Sequence, residues 1–406
     1  MITPISPMPK GWKHQLIDDL AKRGSGHTPD RERPGYWNGG IKWVSLTDSN
    51  KLDHRYISET TSEISELGIR HSSAVLHPKN TVILSRDAGV GKSAILAEPM
   101  AVSQHFIAWR CGPDLIPFHL YYWLQYHKGF FERMAVGSTI QTIGLGVFKK
   151  LAGSFPPLPE QRKIADILST WDEALETLDS LIAAKDRQKQ ALMQQLLTGR
   201  QRFPAFGKKA WQKVLMNQVL ERVFRPIAWS AEMSLSLISI RRRCGGLFRR
   251  PDLLGSEYKT QDLHDLKTGD FLVSKRQVAH GAWAMVTPEF EGGHVSKEYA
   301  IFVNIAPAKL HMPFFAWLAQ TPRMIRLSCV ASTGVHIEKL IFDPDVFLRE
   351  SIRIPADLAE QRQIAAILDT ADQELTLLRT QRNALDQQKR GLMQRLLTGK
   401  IRVRTY

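Results

Sequence analysis

The sequence predicts an α+β fold: two mixed α/β globular domains alternate with two long helices that form an antiparallel coiled coil, the halves related by a pseudo-twofold internal repeat. Three observations predict it. A motif block occurs twice, each copy continues as a long heptad pattern, and each is preceded by short β-like runs with turn signals.

The repeat sets the organisation. Glu160-Gln161-Arg162 returns as Glu360-Gln361-Arg362, and Leu196-Leu197-Thr198-Gly199 returns as Leu396-Leu397-Thr398-Gly399. Between these anchors about half the positions match without a gap, well above chance for unrelated helices. A fainter echo relates Gly11-Trp12 and Leu16 to Ala210-Trp211 and Leu215. The expected boundaries are a globular domain over 1–156, a helical spacer over 157–200, a second globular domain over 201–355 and a second spacer over 356–406.

Each spacer carries a coiled-coil seam. In the first it runs through Ile164, Leu168, Trp171, Leu175, Leu178, Ile182, Lys185, Lys189, Leu192 and Leu196. The second keeps register through Ile364, Leu368, Ala371, Leu375, Leu378, Arg382, Leu385, Lys389, Leu392 and Leu396. Steps alternating four and three give a 3.5-residue period. Pro159 and Pro355 lie near the starts, and Gly199 and Gly399 suit the left-handed residue that ends a helix. At ~1.5 Å per residue the seam spans on the order of 48 Å. Pairing within one chain benefits from high effective concentration. Trp171 against Ala371 suggests large-against-small packing between the two copies. The polar positions Lys185, Lys189, Arg382 and Lys389 should weaken the middle of the seam and set its register. An antiparallel pair would put the globular domains at opposite ends, matching a duplex that offers the same groove face every ~34–36 Å.

Composition narrows the partner. The 406 residues carry a formal net charge of +15, which favours a polyanion, most often nucleic acid. The three cysteines, Cys111, Cys244 and Cys329, form no CxxC pair, so neither a zinc site nor a disulfide framework is indicated and a reduced cytoplasmic setting fits. No apolar run approaches the ~18 residues of a membrane span, so no membrane partner is expected.

In the globular parts, Ile41–Leu46 and Thr81–Leu84 read as strands, the second leading into the loop Ser85–Lys92. The second copy has Asp270–Val273, the loop Ser274–Gly281, then the apolar run Ala282–Val286. Such loops can bring amides and a cation to phosphate, or a guanidinium to guanine edges. The cationic candidates are Arg86, Lys92, Lys275 and Arg276, with Arg241 in the dense cluster Arg241–Arg243 and Arg249–Arg250. A second candidate loop precedes each long helix, offering Thr139 and Gln141 in one copy and Thr333 and His336 in the other. Read alone, each is equally a solvated hairpin tip.

Catalytic motifs fail on inspection. Gly91-Lys92-Ser93 resembles the end of a phosphate-binding loop, but Arg86 stands where its first glycine is required. Gly144 and Gly146 begin a dinucleotide-type pattern that Lys149 ends. Pro251-Asp252 with Glu257 and Lys259 leaves too short a gap for a metal-dependent nuclease, and Phe155-Pro156-Pro157-Leu158 lacks the polar residue of an adenine methyltransferase. No catalytic residue and no metal ligand set is predicted.

Taken together, Pro-Leu-Pro-Glu-Gln-Arg at 157–162, the heptads, Leu-Met-Gln-Gln-Leu-Leu-Thr-Gly at 192–199 and their second versions at 358–362 and 392–399 resemble the specificity (S) subunits of type I restriction-modification systems. Ser25-Gly26, Thr28-Pro29, Tyr36-Trp37, Gly39-Gly40-Ile41 and Trp43-Val44-Ser45 add a family-like opening, with Lys42 where relatives often carry proline. The resemblance implies a non-catalytic subunit with two target recognition domains, each reading half of a split site in double-stranded DNA. The helices would fix the spacer and dock two methyltransferase (M) subunits, with two restriction (R) subunits joining. S-adenosylmethionine, ATP and magnesium would serve those other subunits, and no cofactor would bind here. The opening of the first domain has no counterpart after Trp211, so the two half-sites should differ. Two alternatives remain at this point: a self-contained DNA methyltransferase or nuclease, and a coiled-coil scaffold.

Overall fold

A computed structural model describes residues 2–138, 141–207 and 209–404. The chain divides into two compact units, one of residues 1–180 with 379–406, the other of residues 181–378. The division falls inside both long helices, Leu158–Leu196 and Leu358–Leu397. Each unit therefore holds one globular part, the start of the helix that follows it, and the end of the other helix.

In the first unit a five-stranded sheet has the order Ala21–Ser25, Phe106–Cys111, Val82–Ser85, Ser93–Leu96, Tyr56–Ile57. A four-stranded sheet orders Ser62–Ile64, Trp37–Val44, Met100–Val102 and Leu76–His77. The expected strand over Ile41–Leu46 ends early, at Val44. Ser45 and Asp48 form a reciprocal cap that starts the 3-10 turn Leu46–Lys51, and such a cap satisfies amides a strand would leave to a neighbour. Lys13–Leu16 pairs with Ala152–Phe155, tying the opening of the domain to the residues just before the long helix.

The second unit repeats the central strands. Leu220–Val223, Tyr299–Asn304, Phe271–Ser274 and Trp283–Met285 form a four-stranded antiparallel sheet, and Trp211–Leu215 pairs with Ser351–Pro355. Phe271, Val273, Ala300 and Phe302 face a core shared with the helix Met312–Ala319, while the alternate residues Leu272 and Ile301 pack with Ile238, Leu247, Leu266, Val286 and Val295 on the other face.

The helices join these cores. Ile164 and Leu168 are buried in the first unit's core together with Leu396 and Leu397 from the end of the second helix. Ile364 and Leu368 are buried in the second unit's core together with Leu196 and Leu197. The ends of the seam are thus parts of globular cores. Leu175 and Leu375 are buried, and Trp171, Leu178, Ala371 and Leu378 half-buried.

Ion pairs fix the direction inside each unit. In the first, Lys389 pairs with Asp172 and Arg382 with Asp179 at 3.0 Å. In the second, Lys189 pairs with Asp372 at 2.5 Å and Lys185 with Glu374 at 2.7 Å. One helix's numbers rise as the other's fall, so the segments run antiparallel. Two expectations change. Residue 172 pairs with 389 and residue 372 with 189, so Trp171 does not oppose Ala371 and the proposed large-against-small fit does not exist. The seam cations do not simply weaken the pairing either, because each meets a carboxylate.

Candidate nucleic-acid interface

The duplicated Glu-Gln pair seats each globular part on the helices. Gln161 donates through Nε2 to the carbonyls of Pro156 (2.9 Å) and Asp114 (3.0 Å), and its Oε1 accepts from the Ile116 amide at 2.9 Å. Gln361 repeats this with Pro355 (2.9 Å), Lys309 (2.8 Å) and His311 (2.9 Å). Glu160 is buried, accepts from Trp12 Nε1 at 3.1 Å and binds Arg402 through both carboxylate oxygens at 2.7 and 2.8 Å. Glu360 does the same with Trp211 Nε1 at 3.4 Å and with Arg202 at 2.9 and 2.7 Å. A planar guanidinium matches a carboxylate in this forked geometry, which compensates the burial of charge. The carboxylates hold the guanidinium pKa values of Arg202 and Arg402 above normal. Sequence reading missed these two arginines, although each stands at the same distance beyond the helix-ending Gly199 or Gly399.

A second polar seat lies one helical stretch further on. Tyr122 donates its hydroxyl to Asp172 at 2.6 Å, and Lys389 sits over the Tyr122 ring while pairing with the same carboxylate. In the second unit Trp317 donates to Asp369 at 2.7 Å, and Lys189, paired with Asp372, lies over the Trp317 ring. Each amine is thus held by one carboxylate and one aromatic face.

The strand-ending loops are held in place the same way in both units. After strand Val82–Ser85, the Arg86 amide donates to His105 O at 2.9 Å, and the Arg86 carbonyl accepts from the Ile143 amide at 2.9 Å. After strand Phe271–Ser274, the Lys275 amide donates to Glu298 O and its carbonyl accepts from the Phe342 amide, both at 2.9 Å. The two candidate loops of each domain are therefore neighbours, which spacing alone did not reveal.

In the first unit Arg86 is mostly covered, with its Nε 3.7 Å from Asp87, whose other oxygen meets His105 Nδ1 at 2.7 Å. Lys92 donates to Ser49 O at 2.9 Å and shares a cleft of about 540 Å³ with exposed Gln141, Lys128 and Arg133. Thr139 lies outside the described residues.

In the second unit three segments converge. The amides of Arg243 and Cys244 donate to His280 O (2.7 Å) and Gly281 O (2.9 Å), laying the arginine-rich turn against the Ser274–Gly281 loop. Arg242 Nε donates to Gln277 at 2.6 Å, and its guanidinium also pairs with Glu338 at 3.5 Å. Arg241 lies over Phe248 with its Nη1 on Leu247 O at 3.0 Å. Arg276 is 62% exposed and pairs with Glu298 at 2.5 Å. Lys275 is half-buried, and burial together with the nearby Arg222 pulls its pKa down. Exposed Thr333 and His336 stand on the turn joining Ser332–Thr333 to Ile341–Phe342. Basic side chains, amides and an exposed hairpin suit a phosphate backbone and base edges. Among the described residues no cluster of His, Cys, Asp and Glu is placed to hold a metal ion.

Comparison with known proteins gives this face its context. Residues 9–184 match the family model described as the type I restriction modification DNA specificity domain. The chain is 24% identical to the putative type I restriction enzyme MjaX specificity subunit of Methanocaldococcus jannaschii, across 99% of this chain and 96% of that one. It is 22% identical to that organism's MjaVIII specificity subunit, across 98% and 94% respectively. Over residues 9–184, and more weakly along nearly its whole length, the chain is similar to type I specificity subunits. A third M. jannaschii relative, the MjaIX specificity subunit, is 28% identical over 176 residues, spanning 43% of this chain and 41% of that one. The fold agrees with a type I S subunit from M. genitalium (TM-score 0.61, 15% identity, 97% of this chain and 99% of that one). It also agrees with a chain from a structure titled for complex assembly and conformational transition of the type I R-M system (TM-score 0.59, 16% identity, 97% and 99%).

The relatives are named as specificity subunits, and none is named as a self-contained methyltransferase, a nuclease or a scaffold. No helix among the described residues is long and apolar enough to cross a membrane.

Proposed function

We propose that this chain is a type I specificity subunit and that each of its units reads one half of a split, asymmetric site in double-stranded DNA. The paired helices set the spacer and carry two methyltransferase subunits, to which two restriction subunits attach. S-adenosylmethionine belongs to the methyltransferase subunits and ATP with magnesium to the restriction subunits; the complex works in the cytoplasm. The chain's domains run over 1–156 and 201–355 for the two readers and over 157–200 and 356–406 for the helical spacers.

The observation that carries this reading is the shared anchoring of unlike loops. Arg86 and Lys275 occupy the same hydrogen-bonded position in their sheets, yet one is covered beside Asp87 and the other lies beside an exposed arginine and an arginine-rich turn. Equal mounting with unequal chemistry is what two readers of different half-sites require. We assign Lys92, Lys275 and Arg241 to phosphates, and Arg86, Gln141, Arg276, Thr333 and His336 to base edges; Thr139, two positions before Gln141 in the sequence, is assigned with it from the sequence alone. A guanidinium pairs with guanine and a glutamine amide with adenine.

A gel shift with and without the methyltransferase partner tests the reading. Sequence-selective binding that weakens steeply with salt is expected once the partner is present. A shift indifferent to sequence in both conditions would contradict it.

A further inference from the structure

Both candidate hairpins present a bare aliphatic side chain to solvent on a face otherwise built from charge. Val335 is 84% exposed and Val136 is 73% exposed. Each stands the same number of residues before the amide that anchors its hairpin, Phe342 in one unit and Ile143 in the other. Each also adjoins a glycine in the left-handed half of conformational space, Gly334 at φ 149° and Gly137 at φ 122°. At Gly334 an added Cβ would meet the Lys339 carbonyl oxygen at 2.6 Å, so the backbone there is committed to glycine. The turn is held by Glu338, which pairs with Arg242 and with His280 at 3.0 Å, so Val335 is displayed from a hairpin fastened to the cationic turn. Ile337 and Ile341, at 52% and 48% exposed, continue the apolar surface along that hairpin.

Val335 with Ile337 and Ile341 makes a contiguous apolar edge beside the arginine-rich turn, and an apolar patch rimmed by polar residues marks a contact site. The only apolar feature a duplex offers in its major groove is the thymine 5-methyl group. We propose that Val335 and Val136 each pack against a thymine methyl, so that each half-site contains a thymine read by shape and burial rather than by hydrogen bonding. A β-branched side chain with a short reach suits this contact, since its methyls are presented with little rotamer freedom to lose. This inference rests on the half-site reading above and adds to it a class of base contact that the cationic residues cannot make.

The test uses the full chain assembled with its methyltransferase subunits and a duplex carrying the selected target. Thymines are replaced one at a time by deoxyuridine, which removes the methyl and keeps every hydrogen-bonding group. We expect one position in each half where the replacement weakens binding about fourfold, corresponding to ~0.8 kcal/mol for a buried methyl. Val335→Ala should abolish the effect in one half only and Val136→Ala in the other, while the remaining selectivity persists. If selective binding is intact but no deoxyuridine position matters, or the valine variants leave the pattern unchanged, the methyl contact is overturned and the half-site reading stands. Should the wild-type complex show no selectivity at all, the half-site reading itself fails.

Discussion

The two units differ most where they face solvent and least where they grip the helices. Trp12, Glu160, Gln161 and Arg402 in one unit match Trp211, Glu360, Gln361 and Arg202 in the other, bond for bond. The loops that follow the central strands share only their backbone anchors, and their side chains meet different partners. The comparison teaches that the socket is a fixed mechanical part and the loops are the variable one. Losing the buried carboxylate leaves a guanidinium and an indole without their acceptor, whereas a loop anchored through main-chain atoms can change its side chains and keep its anchors.

The sockets are the first place to break the comparison. Glu360→Ala removes the acceptor of the Trp211 indole and the partner of the partly solvated Arg202, and should cost up to about 3 kcal/mol in chemical denaturation. Glu160→Ala should cost a similar amount through Arg402 and Trp12. If one variant destabilises and the other does not, the sockets are not equivalent.

The middle seats come next. Asp172→Lys puts two amines at one position and should cost about 3 kcal/mol, while adding Lys389→Asp should recover more than half of it. Asp372→Lys with Lys189→Asp should behave likewise. A double variant as unstable as the single would show that this antiparallel pairing is not the one that forms.

Acid should separate the units. Burial lowers the pKa of His119 to about 3 and of His127 to about 4, both in the first unit. Both values lie below that of an unfolded histidine, so the unfolded chain binds more protons. Stability is therefore complete above about pH 6.5 and falls as pH drops towards 4 and then 3, by about 1.4 kcal/mol per pH unit for each histidine. Phe314 matches His119 in the second unit, where the His311 amide takes the place of Ile116 on the glutamine. His119→Phe should shallow the acid limb of a pH-stability profile, and an unchanged limb would contradict the assignment.

Much of this was legible in the sequence. The seam was readable because a 3.5-residue period survives whatever the globular parts do, and its positions are buried or half-buried as expected. The Glu-Gln-Arg repeat announced a function without revealing it, because its partners come from Trp12 and Arg402, far away in sequence. Arg202 and Arg402 could have been found by carrying the repeat past the glycines. Trp171 and Ala371 mislead because matching positions in a repeat do not oppose each other in an antiparallel pair, which sets 172 against 389. In the globular parts the existence of the strands was legible from apolar runs, but not their ends, since Trp37–Val44 starts and stops before the expected Ile41–Leu46. The meeting of the arginine-rich turn with the Ser274–Gly281 loop was not, since it depends on main-chain bonds between distant segments.

Sequencing of methylated sites in cells carrying this chain with its methyltransferase partner tests the central claim most directly. The account predicts a two-part, non-palindromic target, with Arg276→Ala relaxing bases in one part and leaving the other part and the spacer unchanged. A palindromic target, or a variant that alters both parts together, would contradict it.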